Sequence, residues 1–190
     1  MKSRNFKSFE NATETDLALI VSEAANHPPQ QADRIISLLM TLEQSDARGH
    51  PINTFEHMLQ SATRARRLGG DDEDVVVALL HDIGDEIAPH NHGEFAANLL
   101  APFIDEKNHW LLEFHAPFQG YYFWHAFGGD RNAREKYRGH PYFQHTLEFI
   151  ERIDMPSFDA DYDTAPLSEF IPAIKRVFDR EPKRRDPVIT

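Results

Sequence analysis

The sequence predicts an all-α domain, because eight stretches carry apolar residues at helical spacing, start and stop signals fit those stretches, and no strand-like alternation appears. The first two helices fall at 15–25 and 32–44, the first of them peripheral. A third at 54–68 is bracketed by Asn53, with Glu56 three residues on, and by Gly69. The fourth, 72–81, follows Asp71, runs through the apolar residues 75–80 and stops before Gly84. A helix apolar on all sides belongs at the centre of a core. Further helices follow at 92–100, 105–115, 141–153 and 169–180, the last with Ser168 as its cap. An acidic, proline-containing loop fills 156–166, and the polar residues 181–190 read as a mobile tail. With no repeat or linker, residues 1–190 read as one domain with its core at about 35–178.

Composition narrows the function classes. The absence of cysteine excludes disulfides and thiolate metal sites. A formal charge of −11, from 20 Lys and Arg against 31 Asp and Glu, opposes a phosphate backbone, so no nucleic-acid partner is expected. No apolar run approaches the roughly 18 residues of a membrane span, and the start carries no apolar secretory stretch. These features predict a cytoplasmic protein with no membrane partner. They leave the oligomeric state open.

Eleven histidines remain to be explained. His81 and Asp82 end the apolar helix, where a carboxylate needs a strong partner because burying an unpaired charge costs several kcal/mol. A metal ion supplies one. His92 shares a stripe with Ala96 and Leu99, His115 with Leu111 and Leu112, and Asp154 with Leu147 and Ile150, so each projects toward the core. Any one of them alone reads as a hydrogen-bonded core residue; three together, beside a buried His-Asp pair, shift the balance toward metal ligation. His90 rivals His92, and Asp159, Asp161 and Asp163 rival Asp154. In the third helix Phe55, Met58, Leu59, Ala62 and Leu68 form the buried face. His57, Gln60, Ser61 and Arg64 lie on a flanking polar face, either solvated or the wall of a polar pocket. His27, His109, His125 and His145 read as structural or surface residues.

The order His57, His81-Asp82, a downstream His and a final Asp resembles the HD-domain superfamily of metal-dependent phosphohydrolases, an all-α helical bundle. The stretches INTFEHMLQSAT, ALLHDIGD, NHGEFAANLL, KNHWLLEFHAPFQGYYF, DRNAREKYRGHP and IDMPSFDADYDTAPLSEF carry the likeness, over residues 35–177. The additional His92 and His115 make it similar to the six-ligand subgroup that includes myo-inositol oxygenase and phosphonate oxygenases. That resemblance implies His57, His81, Asp82, His92, His115 and Asp154 as metal ligands. By the same resemblance Asp82 would bridge two ions, with His57, His81 and Asp154 on one and His92 and His115 on the other. It further implies a mixed-valent Fe(II)/Fe(III) pair, O2 as co-substrate, and cleavage of a C–C or C–P bond in a small hydroxylated, anionic substrate. The alternative within the superfamily is a phosphomonoesterase or nucleotidase using Mn, Mg or Ni, and a third reading is a non-catalytic binding domain.

The likeness to the phosphonate oxygenases has gaps. Their lid residues, a Tyr and a Glu, correspond to Ala47 and His50. Their phosphonate-holding His, Lys and Arg correspond to Asp85, Gln119 and Glu151, which predicts a different substrate. A replacement anion grip is sought in Arg131, Arg134 and Arg138, on one face of a helix beginning at Asp130, with His140. Gln60 and Tyr121 complete the expected substrate-binding set, and Tyr122 and Trp124 are further candidate pocket walls.

Overall fold

The computed structural model describes residues 6–26 and 30–183. Among them are eight α-helices and no strand: α1 (Glu14–Asn26), α2 (Gln31–Leu42), α3 (Thr54–Arg67), α4 (Asp72–Leu80), α5 (His92–Leu100), α6 (Glu106–Gly120), α7 (Phe143–Phe149) and α8 (Ile171–Phe178). The helix expected at 15–25 is α1. It falls in one compact unit, and residues 32–183 form a second. His27 and residues 184–190 of the expected tail lie outside the described residues. Among the described residues no helix is long and apolar enough to cross a membrane.

In the larger unit α4 is the central rod. Val75 to Leu80 are all buried, and each Val and Leu among them is worth roughly 1.5–3 kcal/mol. Helices α3 and α8 pack against α4, while α5 packs against α6. The caps explain where the rods begin. Asn53 accepts from the Glu56 amide at 2.9 Å and Glu56 reaches back to the Asn53 amide at 3.4 Å, while Asp71 and Asp74 make the same box on α4. Glu73, buried at the start of α4, is satisfied by the Asp105 amide, Asn108 and Arg180.

Four expectations are corrected. Helix α8 starts at Ile171, so Ser168 does not cap it and sits in a 3-10 turn, Leu167–Glu169. Leu68 is 47% exposed rather than core, because α3 ends at Arg67 and Gly69 turns the chain with φ +87°. The predicted 141–153 helix begins at Phe143 and changes after Phe149 into a π turn, Ile150–Asp154. Finally Lys183, assigned to a mobile tail, bonds the Ile104 carbonyl at 2.8 Å and Asp105 at 2.6 Å.

Candidate metal centre

Six side chains meet where α3, α4, α5, α6 and the π turn converge. His57 projects from α3, His81 and Asp82 from the end of α4, His92 from the first residue of α5, His115 from α6, and Asp154 from the end of the π turn. His57, His81 and Asp154 form one group whose donor atoms lie within 4.8 Å of one another; Asp82, His92 and His115 form the second. Neither His90 nor Asp159, Asp161 and Asp163 enters either group.

The hydrogen bonds determine which ring nitrogen is available. His57 Nδ1 donates to the Ser157 carbonyl, His81 Nδ1 to Ala78 and His115 Nδ1 to Leu112, each at 2.8 Å. A carbonyl can only accept, so these Nδ1 atoms carry a hydrogen and each ring turns its Nε2 inward. Two such faces oppose each other at 3.1 Å between His57 and His81, and His92 Nε2 likewise lies 3.1 Å from His115 Nε2. Facing lone pairs at that distance require a proton or a cation between them. In addition, Asp154 Oδ2 is buried without a hydrogen-bond partner, an orphaned acceptor inside an imidazole cluster. Imidazole nitrogens, carboxylates and no thiolate suit iron, manganese or zinc.

Asp82 joins the two groups. Its Oδ2 lies 3.5 and 3.4 Å from the Nε2 atoms of His57 and His81, and its Oδ1 lies 3.5 and 3.2 Å from those of His92 and His115. Asp154 Oδ1 closes the first group at 3.2 Å from His57 and is held by the Gln119 amide at 3.1 Å. The protonation states follow. Burial pushes His81 down, but the charge of Asp82 and the hydrogen bond and charge of Asp154 outweigh it and hold the imidazole at about 9. Burial raises Asp82 and Asp154 in turn, yet the surrounding histidines hold both carboxyls below the usual range.

Two glycines allow this convergence. A Cβ on Gly93 would lie 2.7 Å from the Leu112 carbonyl and 3.2 Å from His115, so a bare backbone lets α5 bring His92 to His115. A Cβ on Gly84 would meet Phe95 at 2.9 Å and the His92 carbonyl at 3.0 Å. Neither role is visible in the sequence, where Gly84 reads only as a helix stop.

A cavity of about 520 Å³ opens on the cluster, lined by His57, Asp82 and His92 together with Arg48, His50, Asp85, Gln119 and Phe158. The expected substrate-binding residues are not among its walls. Gln60 is buried and bonds both the carbonyl (2.7 Å) and the amide (3.2 Å) of Asp159, fastening the 156–166 loop to α3. The polar face of α3 is thus neither solvated nor a pocket wall throughout: His57 meets the cavity while Gln60 holds a loop. Arg131 and Arg134 lie over the Tyr121 ring at 4.5 and 3.7 Å, Arg138 pairs with Glu135, and His140 stacks on Trp110 at 4.2 Å. The segment is a short 3-10 helix, Ala133–Tyr137, so the expected single arginine face does not form. His145 bonds Asn108 and His109 approaches Glu113, both away from the cluster.

Residues 54–146 of this helical bundle, with the His-Asp pair at its centre, match the HD-domain family model. Over 162 residues it is 27% identical to a (1-hydroxy-2-(trimethylamino)ethyl)phosphonate dioxygenase, glycine-betaine-forming, of Leisingera caerulea, an alignment covering 70% of this chain and 82% of that enzyme. The domain, the relative and the two candidate metal-binding groups together support a metalloenzyme.

Proposed function

We propose that this chain is a dinuclear HD-domain oxygenase that holds a mixed-valent iron pair and uses O2 to cleave a C–C or C–P bond in a small hydroxylated, anionic molecule. His57, His81 and Asp154 would hold one ion, His92 and His115 the other, with Asp82 between them. The observation carrying this reading is the division of Asp82, one oxygen toward each histidine pair. The activity of the Leisingera caerulea relative, a dioxygenase, agrees in reaction class.

When bound, an iron pair supplies the redox chemistry that lets O2 attack carbon. The chain's own residues provide the rest. Backbone carbonyls behind three of the histidines hold Nδ1 and aim Nε2 into the cluster. Gln119 fixes Asp154 through Oδ1 and leaves Oδ2 free. Phe158 stacks on His57 at 4.3 Å and, with Ile52, Phe123 and Met155, walls the cavity against water.

The test is metal content and electron paramagnetic resonance on protein purified without added metal, then partly reduced without oxygen. About two irons per chain with a coupled Fe(II)/Fe(III) signal is the expected result. Stable manganese, nickel or magnesium with no mixed-valent signal, and phosphate release from a nucleotide panel, would make the protein a hydrolase instead.

A further inference from the structure

The oxygenase reading requires something to hold the charged end of the substrate, and the arginines expected to do so face Tyr121 and Glu135 instead. Among the described residues lining the cavity, Arg48 is the one permanently charged cation. It stands in a tight turn, closed by the His50 amide donating to the Ala47 carbonyl at 2.9 Å, with φ +50° at Arg48 and +86° at Gly49. Left-handed backbone disfavours a long side chain, so a packing role alone would be better served there by Gly or Asn.

From that turn the guanidinium crosses the cavity rim to Asp85 at 3.3 Å and Glu86 at 2.5 Å. Asp85 is one turn beyond Asp82, its amide donating to the Asp82 carbonyl at 2.9 Å. Side chains so spaced stand about 5–6 Å apart at Cβ, the length of a two- or three-carbon acid. Resting on the proposed oxygenase function, we infer that Arg48 is the specificity-determining anion receptor: it takes the carboxylate or phosphonate of a short hydroxy acid whose hydroxyl end reaches the Asp82 cluster. Asp85 and Glu86 occupy the guanidinium until the substrate's oxyanion displaces them. The planar fork suits either head group, since both offer paired oxygens.

The experiment measures binding by calorimetry to anaerobic, iron-loaded protein, using glycolate, 3-hydroxypropionate and hydroxymethylphosphonate, with ethylene glycol as the neutral control. Arg48→Gln should weaken the anions by about 10–100-fold, with ethylene glycol and iron content unchanged. Arg48→Lys should fall between, and the carboxylate and phosphonate arms identify the preferred head group. Asp85→Asn should tighten the anions several-fold by releasing the guanidinium. A mere clamp between two loops predicts the opposite, because both substitutions break the same bridge. Anion binding weakened by Asp85→Asn, or absent from the unsubstituted protein, overturns the inference. Arg48-dependent anion binding in a protein that takes up no iron pair would retain Arg48 and discard the oxygenase reading.

Discussion

The two candidate ion groups are built from the same residue types yet differ in setting. His57, His81 and Asp154 are buried to within 2%. Their rings are fixed by 2.8 Å bonds to carbonyls and by Phe158 and Phe149 packed against them. In the other group Asp82 leaves 16% and His92 20% of the side chain open to solvent, and His92 Nδ1 is 3.4 Å from its Pro89 carbonyl. The inner group is a rigid, dry cage and the outer group the more adjustable one. On the proposed function, the outer position is therefore where exogenous molecules exchange.

The largest effect should come from the residue both groups share. Asp82→Ala removes the carboxylate facing both histidine pairs, so binding at both positions should weaken by at least about 100-fold, with activity lost. Metal analysis after dialysis checks it. An active Ala variant that keeps two metal ions would remove Asp82 from the site.

Gly93→Ala separates the groups. Its Cβ would collide with the Leu112 carbonyl and press on His115, moving α5 from α6 at a cost of about 1–3 kcal/mol. Metal content should fall from about two ions per chain to about one. Loss of both at once would mean that the inner cage does not stand on its own.

Most of this arrangement is legible in the sequence because it rests on local patterns. The apolar run Val75 to Leu80 marks the central helix, and the stripes through Ala96, Leu111 and Ile150 point His92, His115 and Asp154 inward. The family resemblance assembles those residues into sets. What escapes depends on contacts distant in sequence or on fine backbone geometry. The π turn, closed by the Met155 amide donating to the Ile150 carbonyl at 2.9 Å, leaves no apolar signature of its own. Gln60 reads as a pocket residue because polarity on α3 does not reveal that Asp159, far along the chain, will use it. Arg48 sits in a polar loop with no motif around it, and only the fold brings it opposite Asp85.

A smaller effect distinguishes the groups by pH. In metal-free protein His81 has its pKa raised from the ordinary 6.5 to about 9, chiefly by Asp82 and Asp154 against the opposing effect of burial. Its stabilisation is complete below pH 6.5 and is lost as pH rises through 9, up to about 3 kcal/mol. The depressed carboxyls of Asp82 and Asp154 act on the other side: their contribution is present above their ordinary pKa of 3.8 and is lost as pH falls below it. Chelated protein should therefore be most stable between about pH 4 and 6.5 and decline toward pH 9. Bound metal displaces the His81 proton, so loaded protein should not share the alkaline decline. Urea midpoints across pH for both forms test this, and parallel alkaline slopes would contradict the placement of an ion between His57 and His81.

The smallest expected effect concerns one hydrogen bond at the inner cage. Gln119 Nε2 donates to Asp154 Oδ1 at 3.1 Å, fixing the carboxylate so that Oδ2 remains unpaired. Gln119→Leu fills a similar volume without the amide, freeing Asp154 to rotate and offer either oxygen. Inner-site affinity should drop by about 10-fold while the outer site, which Gln119 does not touch, keeps its affinity. Competition with a chelator of known strength resolves the two occupancies. If Gln119→Leu weakened both sites equally, Gln119 would be supporting the cavity wall as a whole; a selective loss confines its action to Asp154. Gln119→Glu sharpens the distinction, because a second carboxylate beside Asp154 raises the cost of the empty cage and should tighten cation binding there rather than loosen it.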